Sequence, residues 1–200
     1  MTEAGLAYPT EGDSALLIAI PEAEPVVGRF RLVHDATAAV GVPAHVTVLY
    51  PFVPRDRLTD EVRRAVSVTF GAIPAFDYRF DRVARFGDTT VYLAPEPADS
   101  FTRLTDAAHA RWPEHPPYGG VFEVVIPHLT VGDFLDAPAA DELEGAVGDA
   151  LRRHGPIVGH AIDVALMTWG SDNRWSIDSR HELTGARWTW DARRASPPSS

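Results

Sequence analysis

Two short stretches of this chain repeat one pattern of reactive side chains. Pro43-Ala44-His45-Val46-Thr47-Val48 and Ile126-Pro127-His128-Leu129-Thr130-Val131 both read His-x-Thr-Val, with an apolar residue at x and a proline just upstream. With 8 His and 14 Thr among 200 residues, roughly 0.6 His-x-Thr matches arise by chance. Two, each followed by Val, point to a shared task. In a strand, residues i and i+2 share a face. His45 therefore stands beside Thr47, and His128 beside Thr130, while Val46, Val48, Leu129 and Val131 point into a core. Two such strands facing each other across a groove bring two imidazoles and two hydroxyls to one place. Histidine titrates near neutrality. A neutral ring can take a proton from water or a sugar hydroxyl while a protonated ring gives one to a leaving oxygen. Threonine hydroxyls can donate to the oxygens on which negative charge grows. That set suits phosphodiester chemistry with His45 and His128 as the acid–base pair and Thr47 and Thr130 as phosphate ligands.

Composition narrows the alternatives. There is no Cys, so thiolate nucleophiles, Cys-ligated zinc and iron–sulfur clusters are excluded. All 18 basic residues are Arg, which excludes a Schiff-base lysine and a P-loop. The formal net charge of -10 argues against long duplex nucleic acid as a partner. It leaves room for one small phosphate held locally. The six remaining histidines lack partners of the His-x-Thr kind. His109 and His115 straddle Pro113 without metal-ligand spacing, so no metal and no cofactor are expected. The longest apolar run, Ala15–Ile20, is too short to cross a bilayer, and the acidic start lacks signal-peptide character. A cytoplasmic monomer without membrane association is the expectation. Among the aromatics, Phe52 and Trp169 are placed at the cleft rim as candidates for stacking on a base. Strand parity turns Tyr50 away from His45 and Thr47.

Local patterns supply the elements that must hold these residues. Strands are read at Ala15–Ile20 and His45–Tyr50. A helix is read over Pro25–Ala39, with Val26, Val27, Phe30 and Val33 on its inner face, and amphipathic helices over Asp56–Phe70, Ser100–Trp112 and Asp141–Leu151. Ala75–Phe86 and Thr89–Ala94 flank Gly87-Asp88 as a hairpin. Pro113–Gly120 reads as a loop rich in breakers, and Val121–Val131 as two short strands or one bulged strand. Ile157–Trp169 and Arg174–Leu183 form the last strands. The tails at 1–13 and 191–200 read as flexible. This mixture of helices, hairpins and no Gly-rich nucleotide loop reads as an α+β fold with mostly antiparallel sheets.

The paired motifs and their flanks, HVTVLYPF and IPHLTVGDF, resemble those of the two-histidine phosphoesterase superfamily, which includes the 2′-5′ RNA ligase and cyclic phosphodiesterase families. The closing segment Ala165–Leu183 resembles the family's last hairpin. The resemblance implies one bilobal domain over residues 14–184. Each lobe would be an antiparallel sheet with helices outside, related by a pseudo-two-fold axis, with the site in the cleft between lobes. It also implies a nucleotide or short RNA end with a 2′,3′-cyclic or 2′-5′ phosphodiester as substrate. Some members carry a basic residue soon after the second motif; here Val131-Gly132-Asp133 follows. A non-catalytic binder of nucleotide or RNA ends and a 2′-5′ RNA ligase are the alternatives.

Overall fold

The computed structural model describes residue 10 and residues 12–185. Eight strands form two antiparallel four-stranded sheets. The first contains β1 (Ser14–Ala19), β2 (His45–Leu49), β7 (Asp163–Trp169) and β8 (Trp175–Glu182), in the order β2-β1-β7-β8. The second contains β3 (Phe76–Phe86), β4 (Thr90–Glu96), β5 (Leu129–Gly132) and β6 (Ile157–Ala161), in the order β5-β4-β3-β6. β2 and β5, the strands that carry the two threonines, are thus equivalent edge strands. Their upstream partners β1 and β4 are buried in mid-sheet, which explains the unbroken apolar run of β1: Leu16 and Ile18 join the main core, while Ala15 and Leu17 join a second cluster on the opposite face.

The helices lock the two lobes together. The helix α1 (Glu24–His34) leaves β1 and packs against β5 of the other sheet, and α4 (Ala98–Arg111) leaves β4 and packs against β2. The helix α3 (Asp60–Gly71) lies on β8 and α4, and α5 (Ala137–His154) lies on β3, β4 and α1. Each lobe therefore takes one covering helix from its counterpart, and this reciprocal exchange obeys the expected pseudo-two-fold relation.

Several sequence expectations are corrected. The Pro25–Ala39 helix breaks at Asp35, whose extended backbone and carboxylate cap the short helix α2 (Ala36–Ala39) by accepting from the Thr37 N–H at 2.9 Å. Arg31, not Val33, faces inward; Val33 is 74% exposed. The helix α5 begins at Ala137, because Asp136 caps it by accepting from the Ala139 N–H and Pro138 occupies its first turn. Residues 121–126 form no strand and expose Val121, Phe122, Val124 and Ile126. The run Ile157–Trp169 is two strands that split at Ile162 and enter different sheets. Most of the two tails lies outside the described residues. Thr10, Gly12 and Asp13, however, belong to a bonded turn, in which Asp13 accepts from Thr10 and from the Tyr50 hydroxyl and the Gly12 carbonyl accepts from the Arg55 N–H.

Candidate active site

The two histidines are held in the same way. His45 Nδ1 lies 2.8 Å from the Pro43 carbonyl, and His128 Nδ1 lies 2.7 Å from the Ile126 carbonyl. A carbonyl only accepts, so each Nδ1 carries the proton, and each Nε2 has no hydrogen-bond partner among the described residues. The proline before each motif shapes this turn: Pro43 supplies the acceptor itself, and Pro127 holds Ile126 extended so that its carbonyl returns to the ring. β2 and β5 lie edge to edge, and the charge of one ring reaches the other. In register, Thr47 lies opposite Leu17 and His45 opposite Ala19, on one face of β2, while Thr130 lies opposite Tyr92, whose ring is also near His128. Both threonines are half-buried, and so are both histidines.

Burial pushes both imidazoles toward the neutral form. His45 is lowered to about 4, first by desolvation and then by the nearby Arg31 guanidinium; the Pro43 carbonyl and Asp35 oppose the shift. His128 is lowered by desolvation, with the Ile126 carbonyl and Asp133 opposing. Its ring sits edge-on to Phe86, 4.9 Å between centroids, and near Tyr92 at 5.5 Å. Phe86 and Tyr92 stack on each other at 4.2 Å and brace the ring.

The aromatic candidates are placed differently from the sequence reading. Phe52 is 2% exposed, with its ring edge-to-face on Trp112 at 5.0 Å, so it has no face to offer a base. Trp169 does lie on the sheet face that bears His45 and Thr47, but it is 7% exposed and covered by Trp175 at 5.8 Å. Tyr50 also lies on that face, against Trp175. The pairing of β1 with β2 slips between Leu16 and Leu17, and this bulge reverses the parity of the residues after Thr47. The same slip sends Leu49 and then Phe52 into the main core.

Two further residues reach the site. Tyr118, in a 3-10 turn at Pro117–Gly120, has φ 52° and ψ 35°, an uncommon conformation for a bulky side chain. Its N–H donates to the Tyr50 carbonyl at 2.6 Å, which pins the turn to the end of β2. Its phenol lies beside the Thr47 hydroxyl and within the field of Asp133, and burial raises its pKa. Asp133 accepts from the Thr90 hydroxyl at 2.6 Å and faces His128. Tyr118 carried no periodic signal in a loop of prolines and glycines; its only mark was being the aromatic there. Among the described residues, no three His, Asp or Glu side chains converge as a group that could hold a metal ion, and no helix is long and apolar enough to cross a membrane.

Comparison with known proteins agrees with this geometry. The chain belongs to the 2′-5′ RNA ligase superfamily, whose family model matches residues 20–173. A search of curated proteins returns no match. Among solved structures, TT0787 of Thermus thermophilus is similar with a TM-score of 0.57 at 17% identity, covering 88% of this chain and 100% of that one. Escherichia coli LigT complexed with 3′-AMP is similar with a TM-score of 0.53 at 16% identity, covering 88% of this chain and 99% of that one. LigT complexed with NADP+ gives 0.52 at 18% identity over the same shares. At these identities the solved structures speak for the fold. The family model gives the chain its superfamily, and the solved structures give it their fold.

Proposed function

We propose that the protein is a metal-independent phosphodiesterase that opens 2′,3′-cyclic or 2′-5′ phosphodiester bonds on nucleotides or short RNA ends. The observation that carries this reading is the twin placement of His45, at the start of β2, and His128, immediately before β5, each with Nδ1 committed to a carbonyl two residues upstream, where these two edge strands come into contact. In ring opening, one neutral imidazole takes a proton from water as the water oxygen bonds to phosphorus. The bond to one ribose oxygen breaks, and the protonated partner ring gives its proton to that oxygen. The product is a phosphomonoester with a free neighbouring hydroxyl. Thr47 and Thr130 donate to the non-bridging oxygens, where charge accumulates. The complexes of E. coli LigT with 3′-AMP and NADP+ are consistent with a nucleotide occupying such a cleft. Asp133 beside His128, where an extended polyanion would need a cation, favours a short substrate with a single reacting phosphate.

The test is turnover of nucleoside 2′,3′-cyclic phosphates in the presence of EDTA. His45→Ala and His128→Ala each lower kcat by about 10²- to 10⁴-fold, the usual worth of a proton-transfer group. Product formation in a single turnover separates catalysis from simple binding. A folded variant that keeps wild-type rates removes that histidine from the reaction.

A further inference from the structure

Beyond Thr130 the strand β5 departs from simple alternation. Thr130 lies opposite Tyr92 and Gly132 opposite Val91, so the register slips by one residue between them. Val131 and Gly132 both turn toward the core: Val131 is fully buried, and a Cβ on Gly132 would meet Leu143. Asp133 is thereby returned to the face that carries Thr130 and His128. Its Oδ1 accepts from the Thr90 hydroxyl at 2.6 Å, and Thr90 lies opposite Phe86, whose ring meets His128. Directly opposed residues of two strands share a sheet face. The bulge in the pairing of β1 with β2 does the same for Tyr50, five residues after His45 as Asp133 is after His128. There the side chain is a phenol that donates to Asp13; here it is a carboxylate.

That carboxylate is held firmly and half of it is unused. Oδ1 also accepts from the Phe134 N–H at 2.9 Å, and the Asp133 N–H donates to the His34 carbonyl at 2.9 Å. Oδ2 has no hydrogen-bond partner among the described residues, and no arginine or histidine there pairs with it. Its charge reaches His128 on its own sheet and Tyr118, which stands beside Thr47 of the other. A ligand held between Thr47 and Thr130 therefore has this oxygen at one end. Arg79, on the same face, is paired with Asp81. Arg82 has no such partner among the described residues, but it lies opposite Ala94, two strands from β5 and at the far end of β4 from Thr90.

We propose that Asp133 is a specificity-determining residue: its Oδ2 accepts a hydrogen bond from the 5′-hydroxyl of the bound nucleotide and excludes a phosphate from that place, so that the substrate is a lone nucleoside 2′,3′-cyclic phosphate and not the end of an RNA chain. The proposal rests on the reaction proposed above and deepens it by choosing between its two substrate classes. Asp133 follows Thr130 by about 10 Å of strand at most, the span of one nucleotide from its phosphate to its 5′ end. A hydroxyl placed there gains a charge-assisted hydrogen bond. A phosphate placed there meets a like charge that no neighbouring cation offsets.

The experiment compares adenosine 2′,3′-cyclic phosphate with the same compound phosphorylated on its 5′ oxygen, using the full chain as wild type and as Asp133→Asn. The asparagine keeps an Oδ1 for Thr90 and the Phe134 N–H, and puts an N–H donor in place of Oδ2. The wild type favours the 5′-hydroxyl compound by about tenfold or more in kcat/KM at low salt. In Asp133→Asn the ratio falls to near one. Should the variant not fold, the wild-type ratio at rising ionic strength decides: exclusion by charge fades with salt, and exclusion by shape does not. A wild type that takes both compounds equally overturns the proposal. So does one that prefers the 5′-phosphate, the outcome if the nucleotide runs toward Arg82 instead. A folded Asp133→Asn that keeps the full ratio, or a ratio indifferent to salt, overturns it as well. Binding of 3′-AMP against adenosine 3′,5′-bisphosphate separates this proposal from the reaction. If the wild type binds the bisphosphate about tenfold more weakly, the variant does not discriminate, and neither cyclic compound is turned over, the proposed reaction falls and the role of Asp133 stands.

Discussion

The residues that matter most are defined by which nitrogen they leave free. Both histidines spend Nδ1 on a carbonyl, so each leaves Nε2 as its basic nitrogen, with basicity lowered by burial. For kcat/KM, which reports the free enzyme, the bell-shaped profile has its maximum on the acid side of pH 6.5, and its limbs belong to the pair. A bound phosphate is an anion beside both rings and favours their protonated forms. The kcat profile therefore lies at higher pH than the kcat/KM profile; coincident profiles would show that the phosphate does not sit between the rings. Tyr118 offers a second prediction at this scale. Its phenol lies beside Thr47, so Tyr118→Phe keeps the ring and removes the polar group next to the Thr47 hydroxyl. A fall of roughly tenfold in kcat/KM is expected. In a Thr47→Ala background the same change has little further effect, as steady-state rates on the four members of the cycle can show. The motif residues were legible in the sequence because their chemistry repeats. Tyr118 and Arg31 were not: one sits in an irregular loop with no period, and the other looks like an ordinary surface arginine until the fold buries it. The Arg31/Asp35 spacing was the single visible trace of that pair.

At the level of elements, the site depends on two edge strands being aligned, and each is aligned by helices borrowed from the opposite lobe. β5 is only four residues long. Its last residue, Gly132, lies where a Cβ would meet Leu143 of α5, and His34 Cβ at 2.9 Å. Both helices therefore approach β5 as closely as they do because this position has no side chain. Gly132→Ala forces α1, α5 or the strand to move. The expected cost is about 1–3 kcal/mol in stability, the usual range for overpacking, together with a loss of activity through displaced Thr130. Urea unfolding and kcat/KM of the same variant check both effects; wild-type values in each would mean the neighbours yield freely. The sequence showed the helices and most strands through apolar spacing. What it hid were the devices that break a pattern: the Asp35 cap that divides a helix, the bulge that turned Tyr50 toward the cleft and Phe52 into the core, and the change of sheet at Ile162. Each is a backbone event decided by hydrogen bonding or long-range pairing, which a local period does not register.

Considered as a whole, the molecule has two sheets but no simple seam between two bodies. α1 belongs by connectivity to the first sheet and by packing to β5; α4 belongs by connectivity to the second and by packing to β2. The main core runs unbroken from Leu16 and Val46 through Phe101 and Leu104 to Leu129 and Val147. Melting one sheet strips a covering helix from the other, so the lobes are expected to unfold together. Acid should weaken this unit in a defined order. His45, His128 and His181 all have pKa values below those of the unfolded chain, so the unfolded state binds more protons as pH falls below about 6.5 and stability declines from there. Asp178, held below its ordinary range first by the hydrogen bond from Arg63, protects stability above about pH 3.8 and surrenders it below. Leu104→Ala, at a fully buried position of α4, tests the coupling at constant pH. It should lower stability by about 3 kcal/mol. Urea titration would follow it with two probes, tryptophan fluorescence for Trp112, Trp169 and Trp175, and the His128 ring resonance for the second sheet. If the fold is one cooperative unit, both probes shift to the same lower midpoint. A His128 signal that stays native after the fluorescence change is complete would instead mean that the second sheet stands without the first, and that the helix exchange does not bind their fates.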